Sequence, residues 1–303
     1  MRIVSLVPHA TELLFALGLG PQVVAVTHEC DHPPAALALE RVTRDVLAAG
    51  LSAGEIDRAV RERTLEGEAI YALDRVALAA LEPELIVTQA LCPVCAVSYE
   101  EVAELAERLP GRPRVIALDP KTLEETLLDV GTLAEATGAL TRGAELVEDT
   151  EARIARVEEA VAGCARARVV ALEWLDPVYV AGHWTPQLIE LAGGSDVLGD
   201  AGAPSRTVSW EAVAAAEPEV VVVMPCGYDA PRGHAEAVSY ASELAGLRAG
   251  RIVAVNASAY FSRPGPRLID GLELLAHILH PEQLAVPPAA AEALAVEGVA
   301  AAL

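Results

Sequence analysis

Short runs of apolar, mostly β-branched residues recur along the chain, and between them lie longer segments with apolar positions at helical spacing. In the first half the short runs are "RIVSLV", "QVVAVT", "ELIVTQ" and "RVIALD". In the second half they are "ARVVALEW", "PVYVAG", "EVVVVMP" and "GRIVAVNA". Each is apolar almost throughout, as strands buried on both faces require, and the alternation with helices predicts an α/β fold with parallel sheets.

Two pairs of segments repeat at nearly one offset. "LEPELIVTQ" and "AEPEVVVVMP" place Pro83 and Pro218 135 positions apart, and "PRVIALD" and "GRIVAVN" place Arg114 and Arg251 137 apart. A tandem of two similar α/β lobes accounts for both. The opening strands, at Arg2 and Arg168, lie 166 apart, so the first lobe carries roughly 30 extra residues, assigned to "RDVLAAGLSAGEIDRAVRERTLEGEAIYALD". Leu146, Val147, Ile154, Val157 and Val161 recur at helical spacing with no Gly or Pro between Ala144 and Ala162. One long helix is therefore expected between the lobes. The expected organisation is a lobe over residues 1–140, a linking helix over 141–165 and a second lobe over 166–303. Such a pair of lobes would leave a cleft, lined by the loops at the carboxyl ends of the strands.

Composition narrows the classes. The chain has 303 residues, 53% hydrophobic and 22% charged, a balance that suits packed cores and not disorder. Its net charge of −22 works against nucleic acid and anionic membranes as partners. No run of about 18 apolar residues suggests membrane insertion. The start "MRIVSLVPHATELL" enters a strand at once, with no signal-peptide pattern, so the chain as written is expected to be cytoplasmic; a native start further upstream would make it extracytoplasmic. Five cysteines, an odd number, fit a reducing compartment. Neither GxGxxG after the first strand nor GxxxxGK[ST] occurs, which lowers the odds of a nucleotide enzyme.

The strand-end loops carry the candidate chemistry. After the first strand come Pro8 and His9, with Thr11 as an expected helix cap and a stop near Gly18. After the second comes "HECDHPP", with His28, Glu29 and Cys30, and after "ELIVTQ" comes "LCPVC", with Cys92 and Cys95. The second lobe supplies Trp174, Tyr179, His183, Trp184, Cys226, Tyr228, Tyr260, Phe261, Arg263 and Arg267. Aromatics are only 4% of the chain, yet they gather in these loops. Any one large ring can plug a gap between layers, but exposed ring faces stack on flat ligands, and Trp174 and Tyr260 are the first choices for that role. Arg263 suits a polar edge of a ligand and Arg267 a structural ion pair. Trp210 reads as a helix-borne core residue; Cys164, His277 and His280 read as packing. For Cys30, Cys92, Cys95 and His28 three readings stand side by side: metal or cofactor ligation, a thiol pair or disulfide, and packing alone.

Taken in order, "RIVSLVPHATELLFALGL", the Asp31-x-Pro33-Pro34 turn, "LEPELIVTQ", "TPQLIELAGGSDVLGD", "VSWEAVAAAEPEVVVV" and "YFSRPGPRLIDGLELLAHILHP" resemble the cobalamin-binding members of the substrate-binding proteins of ABC importers, a superfamily that also binds haem and ferric siderophores. The resemblance spans nearly the whole chain. It implies two Rossmann-like lobes bridged by one long helix, no enzymatic activity, no required cofactor, and a corrinoid or other metal chelate held in the cleft. It further implies that Tyr260, Phe261 and Arg263 form a contact turn, that Tyr179 is a contact aromatic, and that a Cys or His could serve as an axial ligand to the metal. An ABC permease would be the protein partner, with Glu100 or Glu101 as an acidic docking residue, and the chain would act as a monomer. Gln89 to Cys92 stand where the family has an aromatic-containing segment, and the "HEC" and "CPVC" cysteines depart from the pattern. A Cys/His metal-ion protein and a thiol-dependent enzyme using Cys92 or Cys95 are the competing classes.

Overall fold

The computed structural model describes residues 1–48, 50–66, 68–90 and 99–296; Cys92 and Cys95 lie outside that set. Two compact α/β units account for the chain. One comprises Met1–Pro120 with Glu125–Val147, and the other Lys121–Glu124 with the chain from Glu148 onward. The long helix Leu140–Val161 begins in the first unit and ends in the second. All eight expected strands form, seven within the segment that the apolar run marked out and Ala167–Leu175 one residue beyond it.

The sheet of the first unit is wholly parallel, in the order Glu40–Arg41, Val23–Val26, Ile3–Ser5, Leu85–Gln89, Arg114–Leu118. Alternate side chains feed two cores. Ile3, Leu85 and Val87 pack with Leu13, Leu14 and Leu133 on one face, while Val4 and Ile86 pack with Leu78 and Val102 on the other. That double burial explains why no polar alternation marks these strands. The extra segment has a fold of its own. Thr43–Asp45 and Tyr71–Leu73 form an antiparallel ribbon, and the helix Ala53–Leu65, opened by a Ser52–Glu55 capping box, lies between them in sequence.

The second unit is built on the nine-residue strand Ala167–Leu175. Its first half pairs in parallel with Gly194–Asp196, and its second half pairs antiparallel with Val178–Val180. On its other side stand Val220–Val223 and then Arg251–Val255, both parallel, with Ala293–Ala295 closing the edge antiparallel. The chain thus changes direction across the sheet between Ala167–Leu175 and Val220–Val223. That is the switch point at which α/β sheets open a crevice beyond their carboxyl ends.

The repeat is visible in backbone detail. Glu82 and Glu217, each preceding the repeated proline, both take positive φ, at 44° and 45°, and Arg112 and Arg248 do the same at 43° and 55°. The second glutamate of each Glu-Pro-Glu accepts the amide of the arginine that opens its unit's first strand. Arg2 donates to Glu84 Oε2 at 2.7 Å and Arg168 to Glu219 Oε2 at 2.8 Å. In both units the arginine Nε donates to a carbonyl of the preceding helix end, Leu81 or Glu217. The same clamp therefore fastens the helix end to the sheet in both units.

One boundary differs from expectation. The first helix is Pro8–Ala16, with Val7 at the cap position and Pro8 in the first turn, so Thr11 lies inside it. Proline needs no amide partner there, which lets the helix start directly from the strand. The Thr11 hydroxyl instead donates to Ser5 Oγ at 2.8 Å. The stop is as read, with Gly18 at a φ of 79°.

Candidate functional site

In the first unit the loop after Val23–Val26 is fixed from three sides. Arg41 Nη1 donates to the carbonyls of Thr27 and Cys30, both at 2.7 Å. The Cys30 thiol is buried in the core, within 3.1 Å of the hydroxyls of Thr11 and Thr27. His28 places Nδ1 2.8 Å from Thr43 Oγ1 and tilts against Tyr71 at 5.2 Å, and the Tyr71 hydroxyl donates to Glu29 Oε1 at 3.1 Å. The inserted ribbon thus braces this loop through Thr43 and Tyr71. Burial lowers the pKa of His28; Asp45 opposes the shift and Arg41 adds to it.

The Cys30 sulfur is a core group facing two threonines, and the His28 ring is engaged by Thr43. Among the described residues no group of three His, Cys, Asp or Glu side chains could hold a metal ion. Of the proposed metal set His28, Cys30, Cys92 and Cys95, the last two lie outside the described residues, as does the Cys92 ligand contact. His9, expected at an open strand end, is 1% exposed in the first turn of its helix.

In the second unit the carboxyl end of Ala167–Leu175 carries Glu173 and Trp174. Tyr179 pairs across from Trp174 in the antiparallel strand. The Tyr228 ring meets Trp174 edge-on at 5.4 Å and 64°, and the Arg232 guanidinium lies 3.7 Å over the Tyr228 ring. A row of Tyr179, Trp174, Tyr228 and Arg232 follows, spanning both strands that flank the switch point. Trp174 and Tyr179 are partly exposed, whereas Tyr228 is buried and acts as the backing for Trp174. Burial raises the Tyr228 phenol, with Arg232 in opposition. Cys226, exposed, sits in the same loop, and its amide donates to the Glu173 carbonyl at 3.2 Å.

The contact turn after Arg251–Val255 differs from the expectation. Phe261 is 3% exposed and Trp184 5%, and the Trp184 indole donates to the Phe261 carbonyl at 2.8 Å. Both are core residues of this unit, because the indole N–H finds its partner in the main chain rather than at a surface. Tyr260 stays partly exposed, but its hydroxyl donates to Glu292 Oε1 at 3.0 Å. Burial, with the Glu292 hydrogen bond and charge, pushes it up to about 12. Arg263 and Arg267 are partly buried in the following turn, Arg267 at the cap position of the helix Leu268–Leu279. Trp210, read as a helix-borne core residue, opens the helix Trp210–Ala215 and packs, partly buried, against the core of this unit, stacked on Tyr240 at 6.2 Å. Glu100 is exposed, while the Glu101 carboxylate binds Arg75 at 2.6 Å.

Two residues in this region escaped the sequence reading. Glu173 precedes Trp174 inside an apolar run, where a carboxyl is out of place. Arg232 follows Tyr228 by four residues in "YDAPRGH", the spacing that brings a side chain back over the turn before it.

Comparison with known proteins agrees with this architecture. The sequence profile of the family described as "Periplasmic binding protein" matches residues 3–251. A vitamin B12-binding protein of Vibrio cholerae is 27% identical over 274 residues, covering 90% of this chain and 86% of its own length. That of Pectobacterium carotovorum is 25% identical, covering 88% and 84%. Among solved structures, the periplasmic vitamin B12 binding protein of Vibrio cholerae superposes with a TM-score of 0.67 at 25% identity, covering 94% of this chain and 98% of its own. A periplasmic haem-binding protein from Pseudomonas aeruginosa superposes with a TM-score of 0.69 at 22% identity, covering 97% of both chains. With its two Rossmann-like units and the helix that links them, the chain belongs to the periplasmic binding proteins, solute-binding components of ABC importers that bind small ligands and are not enzymes.

Proposed function

We propose that this protein binds a corrinoid, cobalamin or a precursor of it, for uptake or handling. The observation that carries the reading is the Trp174–Tyr228 pair at the switch point of the second sheet, with Tyr179 beside it. Partly exposed rings held edge-on by a buried partner form a rigid apolar platform, and little side-chain freedom is lost when a flat macrocycle settles on it. The B12-binding relatives support the same ligand class. Arg232, exposed beside Tyr228, and Arg263, partly buried in its turn, are candidate partners for a polar ligand edge, and an ABC permease of matching specificity is the expected acceptor.

Titration of the purified protein with cyanocobalamin and dicyanocobinamide, followed by calorimetry and by the corrin absorption bands, tests the proposal. Saturable binding of either with a spectral shift is the expected result. Absence of both heat and shift for both ligands would overturn it.

A further inference from the structure

Glu173 stands at the point where the second sheet opens, within the register shift between Leu172 and Trp174 that leads into the aromatic platform. Its strand end is fastened: the Glu173 carbonyl accepts the Cys226 amide at 3.2 Å, tying it to the loop that carries Tyr228. Its carboxyl is hydrogen-bonded to Ser205, whose hydroxyl in turn accepts the Gly182 amide at 3.2 Å. A side chain at Gly182 would collide with the Ala203 carbonyl oxygen and the Ser205 nitrogen, so the two backbone segments are closely packed. Glu173 itself is partly exposed, with the Ser205 hydroxyl as a partner of its carboxyl. Burial raises its pKa and Ser205 offsets part of the rise. Arg232 is engaged by the Tyr228 ring and has the charge of Glu236 nearby.

We propose that Glu173 selects ligands whose edge carries uncharged amides over ligands whose edge carries carboxylates. The inference rests on the corrinoid reading above and assigns the discrimination to one side chain. An amide satisfies Glu173 in either protonation state: its N–H donates to the carboxylate, and its carbonyl accepts from the acid. A ligand carboxylate has no such freedom. It faces a like charge in a poorly solvated place, or the pair takes up a proton, and both lower its affinity as the pH rises above the carboxylate range. The amide side chains of a completed corrinoid fit this site; the propionates of haem and the acid groups of early corrinoid precursors do not.

The test compares two ligands that share one ring. Dicyanocobinamide carries amides where dicyanocobyrinic acid carries carboxylates. The wild-type protein is expected to bind the first at least about tenfold tighter at pH 8. Glu173→Gln keeps shape and hydrogen bonding while removing the charge, and it should narrow that ratio about tenfold by strengthening binding of the acid. A wild-type ratio near one overturns the inference without recourse to any variant, and so does a ratio unchanged in Glu173→Gln. Failure of the wild type to bind either ligand overturns the corrinoid reading itself, an outcome separate from any change in the ratio.

Discussion

Trp174 and Trp184 lie ten residues apart and do opposite work. Trp174 is partly exposed, backed by Tyr228, while Trp184 is 5% exposed with its indole N–H spent on the Phe261 carbonyl. Replacing Trp174 with alanine removes contact area for the ligand and leaves little cavity behind. Corrinoid affinity should fall by about 30-fold, measured by titration, with a denaturation midpoint close to wild type. Trp184→Ala should cost about 3–5 kcal/mol of stability in a denaturant titration, because it empties a packed site and orphans a main-chain acceptor. Loss of binding without loss of stability in the Trp184 variant would reverse these roles. The sequence ranks Trp174 first for an exposed ring face but leaves Trp184 among the candidate contacts. Trp174 closes one apolar run and Trp184 stands in the loop after another, and it is the tertiary position of Phe261 that encloses the second indole.

At the scale of elements, the helix Leu123–Thr137 carries a charge that the fold holds at a cost. Asp129 is partly buried on it, its Oδ2 has no hydrogen-bond partner, and burial, with Asp119 and Glu125 nearby, raises its pKa to about 7. A carboxyl raised in the folded state binds more protons there than in the unfolded chain. Stability must therefore fall as the pH rises from about 4 to about 7, and stay lower above that. Asp129→Asn should flatten this contribution, so the variant's thermal midpoint exceeds that of wild type by a few degrees at pH 8 and by less at pH 5. A midpoint difference independent of pH would show that Asp129 titrates normally. The positions of the central strands, by contrast, were legible. The apolar runs located eight strands, and the offset of Pro83 and Pro218 predicted a tandem whose backbones agree even in the positive φ of Glu82 and Glu217. The hairpin of the insertion was legible only as surplus length, since Thr43–Asp45 and Tyr71–Leu73 are three residues each and pair across 25 intervening positions. Hydrogen-bond commitments such as Tyr260 with Glu292, 32 residues apart, leave no local pattern to read.

At the scale of the whole molecule the charge of −22 creates a field that repels anions at a distance, while Glu173 acts on them only in contact. Salt separates the two. Mobile ions screen exposed charges beyond a Debye length of about 10 Å at 0.1 M and about 3 Å at 1 M, yet they enter a partly buried site poorly. Association of dicyanocobyrinic acid should therefore accelerate as ionic strength rises, because the long-range repulsion is lost, while the rate for dicyanocobinamide stays nearly constant. The preference assigned to Glu173 should persist at 1 M salt as a difference in dissociation rate, measured by stopped-flow absorbance of the two corrin ligands. If added salt instead brings the two equilibrium affinities together, the net charge of the surface is sufficient to explain the discrimination, and the carboxyl beside Trp174 has no special part in it.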